Sequence, residues 1–168
     1  LDEDGMYVAK RGDYSASAYA ASDPVCPFSD AAFNEDQISE LVHEDEVARH
    51  EFLGNYTKTY AGRVRDESRL LGSSSGGVTS WLLRDLLERG VVDKVVNVGH
   101  QRPVPPIFSY DAVGSEGLDE RRKSQYYSVT LENALQTISS EPGRYALVGV
   151  PCFIKAARLV AEQDPVIK

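Results

Sequence analysis

Apolar residues recur at helical spacing in four stretches of the chain. The clearest stretch covers residues 76–89 and predicts an amphipathic helix, which Gly90 is expected to end. Its apolar positions, spaced i, i+3, i+4 and i+8, are Val78, Trp81, Leu82 and Leu86. The other helices are expected at residues 34–49, directly after Thr130, and at residues 152–163 behind Pro151.

Runs of β-branched and apolar residues between these helices predict strands. They fall at residues 57–64, 91–98, 107–110 and 145–150. Strands that alternate with helices are typical of an α/β fold, so we expect a mostly parallel sheet flanked by helices. Residues 1–33 lack this pattern and are expected to form an irregular N-terminal arm, which leaves residues 34–168 as the α/β domain.

Charge and composition exclude several classes of protein. The 168 residues carry a formal net charge of -8, whereas a general nucleic-acid binder needs a basic face. No apolar run is long enough to span a bilayer. Three of the first four residues are acidic where a secretory signal would be basic, and two cysteines do not make a disulfide framework. We therefore expect a cytoplasmic protein that binds no nucleic acid and spans no membrane.

Glycines and hydroxyl groups are concentrated just before the 76–89 helix. The stretch reads Gly72-Ser73-Ser74-Ser75-Gly76-Gly77-Val78-Thr79. Backbone N–H groups at a helix N-terminus attract phosphate, glycines let an anion approach the backbone, and serines add donors. The stretch therefore predicts a seat for a phosphorylated cofactor, although it is neither a Walker loop nor a GxGxxG motif. The alternative is that these residues only cap the helix.

A second turn with unusual chemistry, Gly149-Val150-Pro151-Cys152, follows the predicted strand at residues 145–150. Ligands of open α/β sheets collect at the carboxyl ends of strands, so we expect both turns at one edge of the sheet. Cys152 lies at a predicted helix N-terminus, which favours the thiolate. Four roles of Cys152 stay open: a metal or cluster ligand, a redox thiol, a nucleophile, or a small buried residue. No residue is predicted to act as a general acid or base.

Three consecutive basic residues, Arg121, Arg122 and Lys123, interrupt the irregular region after the proline-rich stretch. Two interpretations stand. The cluster faces a phosphate or the acidic tail of a coenzyme, or it lies solvated in a loop.

The order of these motifs resembles the family of coenzyme F-420 hydrogenase/dehydrogenase β subunits, which includes flavin-dependent reductases that act on chlorophyll intermediates. Five pieces in the family's order carry the resemblance. They are Cys26-Pro27, which resembles the end of a ferredoxin-like segment; 53–56 with 60–62; Ser75-Gly76-Gly77-Val78-Thr79 followed by 82–83 and 90–93; Lys123-Ser124-Gln125-Tyr126; and Val148-Gly149-Val150-Pro151-Cys152.

The resemblance implies a FAD-dependent oxidoreductase that relays electrons between an acceptor and a deazaflavin coenzyme or a redox partner protein, usually with iron–sulfur clusters. The residues that it implies as flavin-binding are Ser73, Ser74, Ser75, Gly76, Gly77, Thr79, Ser124, Tyr126 and Cys152. It also implies Cys26 and Cys152 as iron–sulfur ligands.

The sequence departs from the family at two positions beside Cys152, because Val150 stands where threonine is usual and Phe153 where a polar residue is usual. A [4Fe–4S] cluster needs four thiolates, so this chain can share one only with cysteines outside it. We therefore expect a piece of a longer protein. The alternative functions are a cofactor-free binding module of the same fold and a nucleotide- or phosphosugar-binding transferase.

Overall fold

The computed structural model describes residues 2–4, 7–8, 12–42, 47–100 and 108–168. Their contacts divide the chain into two compact units, one of Leu1–Arg11 with Gly62–Gly149 and one of Gly12–Ala61 with Val150–Lys168. The helices are α1 (Ala16–Ser22), α2 (Glu35–Val42), α3 (Glu67–Leu71), α4 (Val78–Glu88), α5 (Ser115–Leu118), α6 (Glu132–Ser140) and α7 (Pro151–Gln163). The strands are β1 (Ala48–His50), β2 (Gly54–Tyr56), β3 (Lys94–His100), β4 (Phe108–Val113) and β5 (Tyr145–Leu147).

The first unit contains a three-stranded sheet with the order β4-β3-β5. Strand β3 pairs antiparallel with β4, from Val95 opposite Val113 to His100 opposite Phe108, and parallel with β5. The expected mixture of helices and strands is confirmed. A mostly parallel sheet is not confirmed, because one of the three strand pairings among the described residues is parallel.

The centre of the first unit lies on β3. Val95 and Val96 are consecutive, so their side chains point to opposite faces of the sheet, and both are 0% exposed. Leu83 of α4 and Leu118 of α5 pack with Val95 in the core, while α6 packs on β4. The strand expected at residues 91–98 is therefore confirmed from Lys94 onward and is covered on both faces there, whereas residues 91–93 precede it.

Helix α4 forms where the apolar spacing predicts it and ends as expected at Gly90. The Gly90 N–H donates to the Leu87 carbonyl at 3.0 Å and the Val91 N–H to the Leu86 carbonyl at 2.9 Å, which is the Schellman arrangement. Gly90 has a φ of +63°, a backbone conformation that glycine adopts without a steric penalty. A local signal thus fixes the C-terminus of α4, whose N-terminus follows the predicted site.

The strand expected at residues 57–64 is wrong. These residues form no strand, and 57–63 are exposed throughout, so the alternation of side chains has no buried face to support it. The Val64 N–H instead donates to the Gly76 carbonyl at 2.9 Å. Helix α3 follows, capped by Asp66, whose carboxylate accepts from the Ser68 N–H at 2.9 Å. The serine–glycine stretch therefore begins after a helix and not after a strand of the sheet.

The second unit contains the antiparallel pair β1–β2 and the helices α1, α2 and α7. Helix α7 packs against α2 and against the 3₁₀ turn Asp23–Val25, and Lys155 pairs with Glu35 at 3.2 Å. Helix α1 lies in the expected irregular arm, and its N-cap Ser15 accepts from the Ala18 N–H at 3.2 Å. The boundary at residue 33 stays a prediction.

Candidate functional site

The serine–glycine loop, residues 72–77, has an unusual backbone conformation. Ser75 has a φ of +56° and Gly77 a φ of +70°, and a positive φ is uncommon for a residue with a side chain. Gly77 is the N-cap of α4, and among the described residues no side chain caps that helix. Helix capping by the serines, the simpler alternative from the sequence, is therefore not what the structure contains.

The serine hydroxyls of this loop bond to other elements. Ser73 Oγ donates to the Arg69 carbonyl at 2.8 Å and ties the loop to α3. Ser74 Oγ accepts from the backbone N–H of Ser124 at 2.9 Å. These two residues lie 50 positions apart in the chain, and both were predicted for the same site. The structure thus brings the loop together with the segment that contains Ser124 and Tyr126.

The glycines let residues 62–64 pack closely on the loop. A Cβ on Gly76 would lie 3.1 Å from the Gly62 carbonyl oxygen. A Cβ on Gly77 would lie 3.3 Å from Val64 Cγ2 and 3.4 Å from Ser73 Oγ. A side chain at either position would therefore crowd its neighbours, and at Gly77 it would also strain the backbone conformation.

A shallow pocket opens beside the loop within the first unit. Its cavity volume is about 20 Å³, which is enough for about one water molecule. It is lined by Val64 and by residues of α3, the loop, α4 and the 118–122 segment. These residues are Arg69, Ser73, Gly77, Ser80, Trp81, Arg84, Leu118, Asp119 and Arg122. Of the residues that the resemblance implies as flavin-binding, Ser73 and Gly77 line this pocket.

The remaining predicted positions in the first unit lie on the surface. Ser75 and Thr79 are exposed, and Tyr126 is 96% exposed. Their hydroxyls are therefore accessible to a ligand, and their roles in binding stay predictions.

The basic cluster separates into three environments. Arg121 is largely buried and donates to the Asn97 carbonyl at 3.0 Å and to Asp111 at 2.8 Å, which fixes the 119–124 segment to the sheet. Arg122 lines the pocket, and Lys123 is exposed. Neither interpretation from the sequence describes all three residues, because Arg121 stabilises the fold and Arg122 faces the site.

Sequence reasoning missed Arg84 as a member of the site, and it included Arg122 only through one of the two interpretations of the basic cluster. Arg84 lies on α4 and pairs with Asp119, which follows α5. Its position four residues after Ser80 places both on one face of α4, but a single arginine on a helix surface carries no signal of this kind. The place of Arg84 in the site becomes visible only in the folded structure, where it contacts the 118–122 segment.

The two cysteines belong to the second unit, where both thiols are free and half-buried. Cys152 lies in the first turn of α7, with Pro151 as its first residue as predicted. Cys26 follows the 3₁₀ turn on which α7 packs. In the described ranges no group of three or more His, Cys, Asp or Glu side chains is arranged to hold a metal ion. The placement of Cys152 beside the serine–glycine loop stays a prediction.

Among the described residues, no helix combines the length and the apolar character needed to cross a bilayer.

Comparison with known proteins identifies relatives of this chain. One subunit of the F420H2 dehydrogenase of Methanosarcina mazei is 32% identical over 110 residues, which is 66% of this chain and 31% of that protein. The chain thus spans about a third of the length of that relative. A family described as "Coenzyme F420 hydrogenase/dehydrogenase, beta subunit N-term" matches residues 59–136, which include the loop, α4 and the Ser124 segment. Residues 59–136 are therefore similar to the N-terminal region of coenzyme F420 hydrogenase/dehydrogenase beta subunits.

Proposed function

We propose that this chain is the flavin-binding part of an oxidoreductase and that its cofactor is FAD. The relative from Methanosarcina mazei belongs, by its name, to a dehydrogenase, which supports redox chemistry. The observation that carries the proposal is the hydrogen bond from the Ser124 N–H to Ser74 Oγ. It joins two distant pieces of sequence, both inside the matched region, into one hydroxyl-rich surface.

The residues present fit the phosphate part of FAD. Ser73, Ser74 and Ser75 supply hydroxyls. Gly76 and Gly77 are covered by residues 62–64, so the proposal places the phosphates against the hydroxyls and not against these glycines. Trp81 is 49% exposed and lines the pocket, so it offers an aromatic face. The cavity of about 20 Å³ does not enclose an isoalloxazine ring. The first unit is therefore proposed to hold the phosphates and not to surround the ring.

The chain's own residues do not fit an iron–sulfur cluster. Four thiolates are needed and the chain contains Cys26 and Cys152 only. Their contribution to a cluster is proposed only together with cysteines outside this chain, and no step of the function is derived from it.

In this proposal FAD supplies the transfer of hydride or electrons. The serine–glycine loop binds and orients the cofactor, while the sheet and Arg121 hold the loop and the 119–124 segment in a fixed relation. The electron donor or acceptor is proposed to be a redox partner protein or a deazaflavin coenzyme. The word "subunit" in the relative's name supports a protein partner.

Reconstitution with FAD tests the proposal. The full chain is incubated with FAD, freed of unbound cofactor by gel filtration and scanned for flavin absorption. Gly76→Val places a side chain against the Gly62 carbonyl and should lose the bound flavin. Gly114→Val is the matched control, since no atom of the described residues lies within 4 Å of a Cβ there.

The proposal predicts a yellow wild type, a yellow Gly114→Val variant and a colourless Gly76→Val variant with an unchanged circular dichroism spectrum. A colourless wild type, or equal flavin in both variants, would contradict it. Uptake of a nucleotide sugar in place of FAD would favour the transferase alternative.

A further inference from the structure

The pocket beside the serine–glycine loop is rich in arginine although the chain is acidic. Its lining includes Arg69, Arg84 and Arg122 but a single carboxylate, Asp119. The chain as a whole carries a formal net charge of -8. Arg69 also lies 3.6 Å from Asp66. The local excess of positive charge therefore comes from Arg84 and Arg122, which share the single carboxylate of Asp119.

One carboxylate serves two of these guanidinium groups. Arg84 Nη2 pairs with Asp119 Oδ1, and Arg122 Nε lies 3.7 Å from the same oxygen. The side chains of Arg84 and Arg122 are 20% and 29% exposed, whereas that of Asp119 is 54% exposed. The carboxylate is thus the most exposed member of the trio.

The backbone makes room for Arg122 at the start of the loop. A Cβ on Gly72 would lie 2.8 Å from Arg122 Nη2, so the guanidinium occupies the space that a side chain would take. Arg122 Nε also donates to the Asp119 carbonyl at 3.1 Å. The arginine is therefore held against the loop, with the hydroxyls of Ser73 and Ser80 in the same lining.

We propose that Arg84 and Arg122 bind the diphosphate group of a nucleotide, and that Asp119 is an internal competitor for the same guanidinium groups. A guanidinium group binds a phosphate through two parallel hydrogen bonds to two of its oxygens, as it binds a carboxylate. The cavity of about 20 Å³ cannot admit a diphosphate beside the Asp119 carboxylate. Binding therefore displaces Asp119 from the arginines. This inference rests on the proposed function, since the diphosphate of FAD is the ligand that it assigns to these residues.

Calorimetric titration of the full chain with inorganic pyrophosphate tests the assignment. Arg84→Gln and Arg122→Gln should each weaken binding about tenfold, because each removes hydrogen bonds to a charged ligand. Asp119→Asn should strengthen binding about threefold, since it removes an exposed ion pair that competes with the ligand. A gain in affinity cannot arise from misfolding, so this variant keeps the test decisive.

Arg89→Gln is the matched control. Arg89 lies at the end of the same helix, is absent from the pocket lining and pairs with Asp85. It should leave pyrophosphate binding at the wild-type value. Equal affinities in wild type, Arg84→Gln and Asp119→Asn would overturn the inference, as would weaker binding by Asp119→Asn.

The outcomes also separate this inference from the proposed function. A wild type that takes up FAD while all variants bind pyrophosphate alike would leave the flavin proposal standing and overturn the assignment of the arginines. A wild type that takes up no FAD, but binds pyrophosphate with the predicted pattern of variants, would overturn the flavin proposal. It would leave the assignment of the arginines standing.

Discussion

Replacement of Gly77 by alanine is expected to destabilise the first unit more than the same replacement of Gly90. Both glycines have a positive φ, +70° and +63°, a conformation that costs a residue with a Cβ about 1 kcal/mol. At Gly90 no atom of the described chain lies within 4 Å of an added Cβ. At Gly77 the Cβ meets Val64 at 3.3 Å and Ser73 at 3.4 Å.

The magnitudes follow from this difference in space. Gly90→Ala should lower the free energy of unfolding by about 1 kcal/mol, the conformational penalty alone. Gly77→Ala should lower it by about 2 kcal/mol, because Val64 and Ser73 must also shift to relieve the crowding. The difference between the two variants measures how tightly residues 62–64 pack on the serine–glycine loop.

Urea denaturation followed by tryptophan fluorescence measures both values. Trp81 is the single tryptophan of the sequence and lies on α4, next to the loop, so its emission reports on this unit. Equal destabilisation by the two substitutions, or a larger effect at Gly90, would refute the packing of the loop described above.

Three further predictions concern the sheet that supports the site. The guanidinium and backbone N–H of Arg144 lower the pKa of the Asp93 carboxyl from 3.8 to about 2. The contribution of ionised Asp93 to the stability of the fold is therefore fully present above pH 3.8 and is lost as the pH falls through about 2. Asp93→Asn should therefore lower the urea midpoint at neutral pH, and the difference from wild type should vanish below about pH 2; a difference that persists there would contradict this. Tyr110→Phe should cost about 1 kcal/mol in urea denaturation because it removes the hydrogen bond to the Val148 carbonyl, and no loss would show that this bond does not form. Arg121→Gln should cost about 2 kcal/mol because it removes a largely buried guanidinium from Asp111 and from the Asn97 carbonyl, whereas the exposed Lys123→Gln should change stability by less than about 0.5 kcal/mol.

Local signals in the sequence predicted the elements that depend on neighbouring residues. Helix α4 and its end at Gly90 follow from apolar spacing and a single glycine. The β-branched run that became β3 is recognisable because it is buried on both faces. Such features need no knowledge of distant parts of the chain.

Elements without a decisive local pattern were predicted wrongly or missed. The alternation at residues 57–64 suits a strand, but no partner strand covers either side of it in the described structure. Helix α1 is built from alanine, serine and tyrosine with no apolar stripe, so only the cap at Ser15 marks it. In both places the outcome depends on contacts that periodicity does not report.

The site was predicted in part. The hydroxyls and glycines of the loop are visible in the sequence, and the resemblance to the family added Ser124, which the structure brings to Ser74. Arg84 was missed, and Arg122 was named only as part of the basic cluster, because the two arginines come together only when α4 packs beside α5 and the segment after it. Charge in a folded pocket is set by this assembly and not by the spacing of single arginines.

Hydrogen–deuterium exchange with and without FAD tests most directly whether the loop and the Ser124 segment form one cofactor site. The account predicts slower exchange in peptides covering residues 72–77 and 119–126 together, while peptides of α6, which packs on β4, exchange unchanged. Unchanged exchange in both segments, or protection confined to other parts of the chain, would contradict it.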